Sequence, residues 1–266
     1  GRDMAGRRPG DREPKHEADT YLLSYPKAGR TWLRVLVGKA LVEHYGVPPE
    51  RLLDTAVLTG RAGLPRATFY HDGSAMIDGH TWRDLTADNS ANRGKRVVLV
   101  GRDVRDILVS SYFQATRRID AFDGPISAFV RDDRFGARKV VEFYRHWWDA
   151  RTVPAAFLFV RYEAMHDDAA AVLARVLAFL GARDVAPATI ARAVDFARFE
   201  RMRESEASES FPSHMMRTPA GADPEAFKLR KGVVGGFRDY LSADDVAYVD
   251  ACEAEHGCEF TRPAVR

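Results

Sequence analysis

The chain has few cysteines, no long apolar run and almost no net charge, and each absence excludes a class of protein. Two cysteines, Cys252 and Cys258, are too few for a disulfide framework and are typical of reduced thiols in the cytoplasm. No apolar run approaches the roughly 18 residues of a membrane span. Basic residues number 40 against 38 acidic ones, whereas proteins that bind nucleic acids or membrane surfaces usually have a basic excess. These absences leave a soluble, globular, cytoplasmic protein.

Two chemical signatures are also missing. The phosphate-binding pattern G-x-x-x-x-G-K-S/T occurs nowhere in the sequence, which counts against the kinases that use this loop. No ligand-spaced cluster of cysteine and histidine accompanies the two cysteines, and no carboxylate constellation demands a metal. We therefore expect a protein that requires no metal.

The 266 residues suffice for one large α/β domain with an ample core. Residues 1–19 mix both charge signs with glycine and proline, so we expect a flexible arm there and a single domain over residues 20–266. The polar stretch 201–228 shows no sustained period, and a loop of that length is typical of a lid.

Short apolar runs alternate with helical patterns along the domain. Strands are predicted at 20–25, 96–100 and 155–160, with a weaker one at 75–79, and helices at 31–45, 136–151, 167–180 and 187–199. Further helices are expected to start near Asp103 and Ser242. Strands that alternate with helices indicate a central parallel sheet that is flanked by helices on both faces.

The first segment with chemical potential runs from Tyr25 to Trp32, between the first strand and the first helix. The N–H groups of a helix N-terminus and its dipole favour an anion at such a junction. Lys27 adds a charge, Gly29 lets the backbone approach closely, and Thr31 brings a hydroxyl group. Taken alone, the segment is equally compatible with an ordinary strand-to-helix turn.

Two further basic segments follow. Arg102 to Ser111 comes directly after a buried strand, and the carboxyl ends of parallel strands are where ligands bind in open sheets. Arg102 can hold a phosphate with two N–H groups, and Ser110 lies just over two helical turns later. The alternative is that the arginines here pair with Asp103 and Asp106 on the surface. The third segment, residues 229–240, places Arg230 and Lys231 before Gly232, next to the lid-like loop.

Together these three segments resemble the sulfotransferases that use 3′-phosphoadenosine 5′-phosphosulfate (PAPS). That family has a Y-P-K-S/A-G-x-T-W loop, an R-x-x-x-D-x-x-x-S segment and a C-terminal R-K-G-x-x-G segment, and this chain carries all three in that order. The resemblance spans roughly residues 20–256 and implies the family's fold, which is similar to that of P-loop nucleotide kinases. It also implies PAPS as the donor co-substrate and 3′-phosphoadenosine 5′-phosphate (PAP) as the product.

The resemblance implies a role for each matching residue. Lys27 contacts the sulfuryl group, and the backbone of Ala28, Gly29, Arg30 and Thr31 holds the 5′-phosphate together with the Thr31 hydroxyl. The 3′-phosphate is held by Arg102, Ser110, Arg230, Lys231 and Gly232. Trp32 and Phe199 cover the two faces of adenine, and Tyr162 contacts it. Core packing is the alternative for each aromatic residue.

The family's catalytic base is a histidine that follows a short central strand, and the resemblance assigns that role to His80, after the strand expected at 75–79. A neutral imidazole suits the removal of a hydroxyl proton near pH 7. His71 is the nearest rival. Lys27 and Ser110 complete the implied catalytic set. The family's usual lysine two residues before the base is Asp78 here, so we expect one cation fewer at the sulfuryl group unless Arg30 or another residue replaces it.

The implied reaction is sulfuryl transfer to a hydroxyl group or, less readily, an amine of a small molecule. An alanine- and arginine-rich composition is compatible with a high-GC bacterium and a secondary metabolite as acceptor. Candidate acceptor-pocket residues are aromatic residues and methionines, namely Phe69, Tyr70, Trp82, Phe113, Met215 and Met216. A small-molecule or nucleoside kinase and a non-catalytic nucleotide-binding module are the alternatives. We expect no nucleic-acid or membrane partner, and the oligomeric state stays open.

Overall fold

The computed structural model describes residues 18–86, 88–198, 232–256 and 261. In this part of the chain four strands form one parallel sheet in the order β2-β1-β3-β4. The strands are β1 (Thr20–Ser24), β2 (Ala67–Tyr70), β3 (Arg96–Gly101) and β4 (Ala156–Arg161). Nearly all of the arm expected at 1–19 and all of the loop expected at 201–228 lie outside the described residues.

Helices cover both faces of the sheet. They are α1 (Arg30–Tyr45), α2 (Thr55–Arg61), α3 (Val104–Phe113), α4 (Ile126–Arg131), α5 (Ala137–Asp149), α6 (Tyr162–Phe179), α7 (Pro187–Phe196) and α8 (Ala243–His256). Alternate strand residues enter opposite cores, so Leu22 packs with α1, α6 and α7, while Leu23 packs with α3, α5 and α8. This arrangement confirms the predicted α/β fold. None of the helices in the described ranges has the length and apolar character that a membrane span needs.

The strand predicted at 75–79 is wrong. Met76–Asp78 forms a single 3₁₀ turn, which ends at Gly79 in the left-handed conformation with φ of 65°. The fourth strand is instead Ala67–Tyr70, where Phe69 aligns with Leu22 of β1. Threonine, phenylalanine and tyrosine favour extended structure, whereas a run of Ile-Asp-Gly favours a turn.

Helix α6 begins earlier than its predicted start near Asp167, at Tyr162, immediately after β4. Asp168 departs from helical geometry, with φ of −153° and ψ of 84°, and its carboxylate accepts a hydrogen bond from the backbone N–H of Ala171 at 2.9 Å. The predicted cap is therefore present, but it lies inside a longer helix. The early start places Tyr162 at the carboxyl edge of the sheet.

Candidate active site

The loop between β1 and α1, residues 25–29, forms a tight turn at the carboxyl edge and is called the first loop below. Lys27 adopts φ of 68° and Gly29 φ of 98°. A lysine in this left-handed region carries strain of the kind that accumulates at functional sites. Because α1 begins at Arg30, the N–H groups of its first turn lie at the end of this loop, in the arrangement that suits an anion.

Gly29 is required by its neighbours as well as by its conformation. A Cβ atom at this position would lie 2.5 Å from Cδ2 of Tyr162, which is well inside van der Waals contact. Tyr162 itself is buried at the first turn of α6. The first loop and α6 therefore pack against each other with no room for a side chain at position 29.

Arg102 connects the three basic segments of the sequence, of which the third, residues 229–240, is called the third motif below. It follows β3, and only 9% of its surface is exposed. Its Nη1 donates to the carbonyl of Lys27 at 2.9 Å and its Nη2 to the carbonyl of Val233 at 3.3 Å, while its guanidinium lies 4.2 Å from the ring centre of Tyr162. Its buried Nε has no hydrogen-bond partner in the structure as described. One side chain thus holds the first loop, the end of β3 and the third motif together.

Asp106 fixes the third motif to α3. Its buried carboxylate accepts hydrogen bonds from the backbone N–H groups of Gly235 at 2.7 Å and Phe237 at 3.0 Å. Burial raises the pKa of Asp106, although Arg102 and the two hydrogen bonds oppose that shift. The surface pairing considered for Asp106 is therefore wrong, whereas Arg105 does pair with Asp103 at 2.6 Å.

Ser110 lies one helical turn after Asp106 on α3 and is 9% exposed. Residues four apart on a helix share a face, so Asp106 and Ser110 both lie on the side of α3 that meets the third motif.

Glu163 connects the first turn of α6 to α3. Its buried carboxylate accepts a hydrogen bond from the N–H of Asp103 at 2.9 Å, and burial raises the pKa of Glu163. This bond ties the start of α6 to the start of α3.

Three rings form a group beside the first loop. Trp32 lies edge-on to Tyr162 with ring centres 5.8 Å apart, and both rings contact His166 at 4.8 Å. Burial lowers the pKa of His166, and Arg102 contributes to the same shift. Trp32 and Tyr162, which are both predicted to contact adenine, therefore lie together. His166 lies beside them and was not predicted as a site residue.

The two candidate histidines lie in one segment, residues 71–84, called the histidine segment below. His71 comes directly after β2, and its Nδ1 lies 2.8 Å from the carbonyl oxygen of Ser24, the last residue of β1. The Nδ1 of His80 lies 3.3 Å from the carbonyl oxygen of Gly73 within the segment itself. His71 is therefore the histidine that directly follows a strand, the edge strand β2, and adjoins the first loop, whereas His80 follows a 3₁₀ turn.

Comparison with known proteins decides the family. The model of the sulfotransferase domain family matches residues 69–256, more than two thirds of the 266-residue chain. The chain belongs to the sulfotransferase family. The sulfotransferase is also 25% identical to cytosolic sulfotransferase 17 of Arabidopsis thaliana over 256 residues, which cover 89% of this chain and 73% of the relative.

Solved structures share the fold of this sulfotransferase. Mouse sulfotransferase SULT7A1, complexed with PAP, superposes with a TM-score of 0.60 at 20% identity, covering 92% of this chain and 86% of its own. Retinol dehydratase, in a complex with retinol and PAP, gives a TM-score of 0.61 at 17% identity, covering 93% and 82%. The fold class and the family predicted from the sequence are both confirmed.

Several predicted site residues of the sulfotransferase lie outside the described residues. Among those implied to bind the donor they are Phe199, Arg230 and Lys231, and among the acceptor candidates Met215 and Met216. Gly232 is described and adopts φ of 63°, one residue before the carbonyl of Val233 that Arg102 contacts. The position of the third motif beside Arg102 is thus established from Gly232 onward.

Three of the described acceptor candidates are divided between the two cores of the sheet. Phe69 packs in the core of α1 and lies 5.6 Å from the guanidinium of Arg34, whereas Tyr70 packs in the core of α3 and α5, because neighbouring strand residues face opposite sides. Phe113 is buried against Tyr240, with ring centres 5.1 Å apart. All three residues make core contacts, and their role in binding an acceptor stays a prediction.

Trp82, like Phe69 and Tyr70, is half-exposed, and its contacts are with charged side chains. Its Nε1 donates to the carboxylate of Asp133 at 3.0 Å, and Arg83 and Arg138 lie over its ring at 4.2 and 5.3 Å. These contacts hold the histidine segment against the start of α5.

A metal site was not expected from the sequence. Within the described ranges, no group of three or more histidine, cysteine, aspartate or glutamate side chains is arranged to hold a metal ion. The independence from metal remains a prediction.

Proposed function

We propose that this sulfotransferase transfers a sulfuryl group from PAPS to a hydroxyl group of a small-molecule acceptor, releasing PAP. The observation that carries the proposal is the set of contacts made by Arg102, which joins the first loop, β3 and the third motif at one point. These are the segments to which the resemblance assigns the two ends of the donor. An amine is the less favoured acceptor, and a secondary metabolite is the acceptor type that the composition suggests.

The chemistry of the donor region suits a nucleotide with two separate anionic groups. The first turn of α1 and Lys27 offer N–H donors and a positive charge for the 5′-phosphosulfate. The Nε of Arg102, buried and without a partner among the described residues, is a donor that an anionic oxygen would satisfy. Ser110 and the third motif lie on the same side and complete a site for the 3′-phosphate.

Adenine fits the aromatic group beside the first loop. Trp32 is half-exposed, and Tyr162 lies edge-on to it, so a flat base that stacks on Trp32 would have an aromatic wall at its side. The third ring, that of His166, is exposed and contacts both. We assign adenine to this group.

The transfer forms a bond between the acceptor oxygen and sulfur and breaks the bond from sulfur to the bridging phosphate oxygen. As in phosphoryl transfer, the protein positions the reactants and stabilises charge on the leaving oxygen, which we assign to Lys27. The acceptor proton needs a base. We assign this role to His71, which follows β2 and adjoins the first loop. A backbone carbonyl only accepts hydrogen bonds, so the Nδ1 of His71, which faces the Ser24 carbonyl, carries the proton. In the neutral ring the lone pair is then on Nε2.

This assignment changes which residue of this chain stands where the family usually has a lysine, two residues before the base. If His71 is the base, the residue two before it is Phe69 rather than Asp78. The guanidinium of Arg34, one turn after Arg30 on α1, lies 5.6 Å from the Phe69 ring centre. Arg34 is therefore the cation that we expect to compensate for the lysine.

The proposal is tested by turnover with sulfur-labelled PAPS and a panel of phenols, alcohols and amines. We expect label to move to at least one hydroxyl compound and PAP to form in equal amount. Release of PAP without a labelled product would indicate hydrolysis, and no release of PAP from any mixture would contradict the proposal.

A further inference from the structure

Lys139 carries a buried amine near the histidine segment, which also holds the proposed base His71. Six residues separate the end of α5 from the start of β4, so the helix runs from the carboxyl edge towards the amino ends of the strands. The hydroxyl of Tyr144 donates to the carbonyl of Val100, near the end of β3, at 2.8 Å. Lys139 lies five residues before Tyr144, hence roughly 7 Å further along the helix axis. It therefore lies beyond the edge of the sheet.

The side of α5 that carries Lys139 faces the site. Phe143, one turn later, packs edge-on against Tyr25 at the start of the first loop, with ring centres 5.6 Å apart. Trp147, one further turn on, donates from Nε1 to the carboxylate of Asp72, next to His71, at 2.9 Å. Residues four apart share a helix face, so Lys139 belongs to the face that contacts the first loop and the histidine segment.

Among the described residues the amine has charged neighbours but no hydrogen-bond partner. Its residue is 0% exposed, and Nζ has no hydrogen-bond partner within the described structure. Asp78 and Asp84 of the histidine segment and Asp132 before α5 act on it electrostatically. A buried donor that is left unsatisfied is unfavourable, and few native groups are left so.

This amine lowers the stability of the folded protein at neutral pH. Burial lowers the pKa of Lys139 to about 8, although the three carboxylates oppose the shift. The unfolded chain therefore binds the proton more tightly than the folded one, and below pH 8 the protonated lysine disfavours folding. A destabilising polar group at the edge of an active site is typical of a functional residue.

We propose that Lys139 is a specificity-determining residue of the acceptor site, whose amine donates a hydrogen bond to a second oxygen atom of the acceptor. This inference rests on the proposed function. An ammonium group offers only donors, so its partner is an oxygen with a free lone pair. The acceptor therefore carries one oxygen that is sulfated and another that binds Lys139.

The surrounding charge indicates that this second oxygen is neutral. Asp132 is paired with Arg134 at 3.0 Å, which leaves the carboxylates of Asp78 and Asp84 as two negative charges against the one ammonium group, so an acceptor carboxylate would be repelled. A phenolic or alcoholic hydroxyl or a carbonyl oxygen avoids that repulsion. The action of Asp78 and Asp84 on the amine places the histidine segment near it, and Ile77 of that segment is 70% exposed.

The test compares acceptors that differ in one oxygen. The probes are phenol, the three benzenediols, 2-naphthol, 2,6- and 2,7-dihydroxynaphthalene and 6-hydroxy-2-naphthoate, each titrated calorimetrically into the PAP-loaded protein and assayed with PAPS. The variants are Lys139→Met, Lys139→Gln, which keeps a neutral donor, and the control Lys39→Met, whose lysine pairs with Glu43 on α1.

We expect at least one diol to bind the natural protein about tenfold more tightly than its mono-hydroxy counterpart, and the naphthoate more weakly than the diols. Lys139→Met removes that preference, Lys139→Gln keeps part of it, and Lys39→Met keeps all of it. An unchanged preference in Lys139→Met, an equal loss for every probe, or no preference in the natural protein would overturn the inference. Absence of PAP binding and of transfer would instead overturn the proposed function.

Discussion

The donor region and the histidine segment lie at the same edge of the sheet but are built differently. In the donor region, buried side chains hold backbone groups of distant segments, as Arg102 and Asp106 do through four hydrogen bonds. The histidine segment is irregular apart from two 3₁₀ turns, Met76–Asp78 and Trp82–Asp84, and its residues Ile77 and Asp78 are exposed. The donor region is therefore held by buried contacts, whereas the histidine segment, which carries the proposed base, is held partly by exposed ones, such as those of Trp82 and Arg83 with Asp133. Chemistry that requires a fixed nucleotide and a variable acceptor suits this division.

The largest effect is expected where the two regions meet, at His71. Replacing it with alanine removes the assigned base, and general-base catalysis typically contributes about 10²–10⁴-fold. We expect kcat with the best acceptor to fall by that amount, while PAP affinity stays close to normal. The paired variant His80→Ala should change kcat much less. A larger loss in His80→Ala than in His71→Ala would return the base to His80.

Lys27 tests the donor side of the same reaction. By analogy with the deletion of one charge-stabilising donor, Lys27→Met should lower kcat by about 10²–10³. The control is Lys95→Met, because Lys95 donates to the carbonyl of Ala18, and β3 begins at the following residue, at the opposite edge of the sheet. A change in the KM for PAPS alone, with normal kcat, would assign Lys27 to binding rather than to the transfer.

Replacing Asp106 tests whether PAP binding depends on the hydrogen bonds between its carboxylate and the third motif. Asp106→Ala leaves the N–H groups of Gly235 and Phe237 without their carboxylate, at about 1–3 kcal/mol for each group that stays buried. We expect PAP affinity to fall by about tenfold or more, as measured by calorimetric titration. The control is Asp250→Asn, at a half-exposed carboxylate 3.8 Å from Arg105. Equal PAP affinities in the two variants would show that the third motif positions itself without Asp106.

The smallest effect concerns stability on the acceptor side. Replacing the buried amine in Lys139→Met should raise the free energy of unfolding at pH 7 by about 1–4 kcal/mol, as replacement of buried charges often does. Because burial lowers the pKa of Lys139 to about 8 from an ordinary value of 10.5, the natural protein gains stability relative to the variant as pH rises between these values. Denaturant unfolding at pH 7 and pH 10 measures both. A destabilised variant with no pH dependence would mean that the amine stabilises the histidine segment.

The segments that form the donor region were recognisable because the residues within each segment are contiguous in sequence. Lys27–Trp32 and Arg102–Ser110 follow two buried strands, so their type and spacing indicate both the fold and the ligand. The roles of Asp106 and His166 were not predicted. Asp106 resembles a surface acid beside Arg105, and only the approach of Gly235 and Phe237 reveals what it holds. Its spacing of four from Arg102 and Ser110 was the available signal.

The histidine segment was predicted poorly for a physical reason. Strand β2 has four residues and lies at the edge of the sheet, so its apolar pattern is short. Met76 and Ile77 before Gly79 have an apolar pattern that is equally typical of a short strand, although they form a 3₁₀ turn. The run of Thr68, Phe69 and Tyr70 directly before His71 was the signal for the correct strand. Nothing local predicts the burial of Lys139, because a lysine near the start of an amphipathic helix usually faces solvent.

A nucleotide with two separate anionic groups should bind at the carboxyl edge of the sheet, and ligand-dependent thermal unfolding measures that binding. Ligand binding to the folded state stabilises it by about 2.7 kcal/mol at a concentration of 100 Kd. PAP should raise the Tm strongly, 5′-AMP weakly because it lacks the 3′-phosphate, and ATP with Mg²⁺ little. Equal or greater stabilisation by ATP with Mg²⁺ or by 5′-AMP would contradict the account.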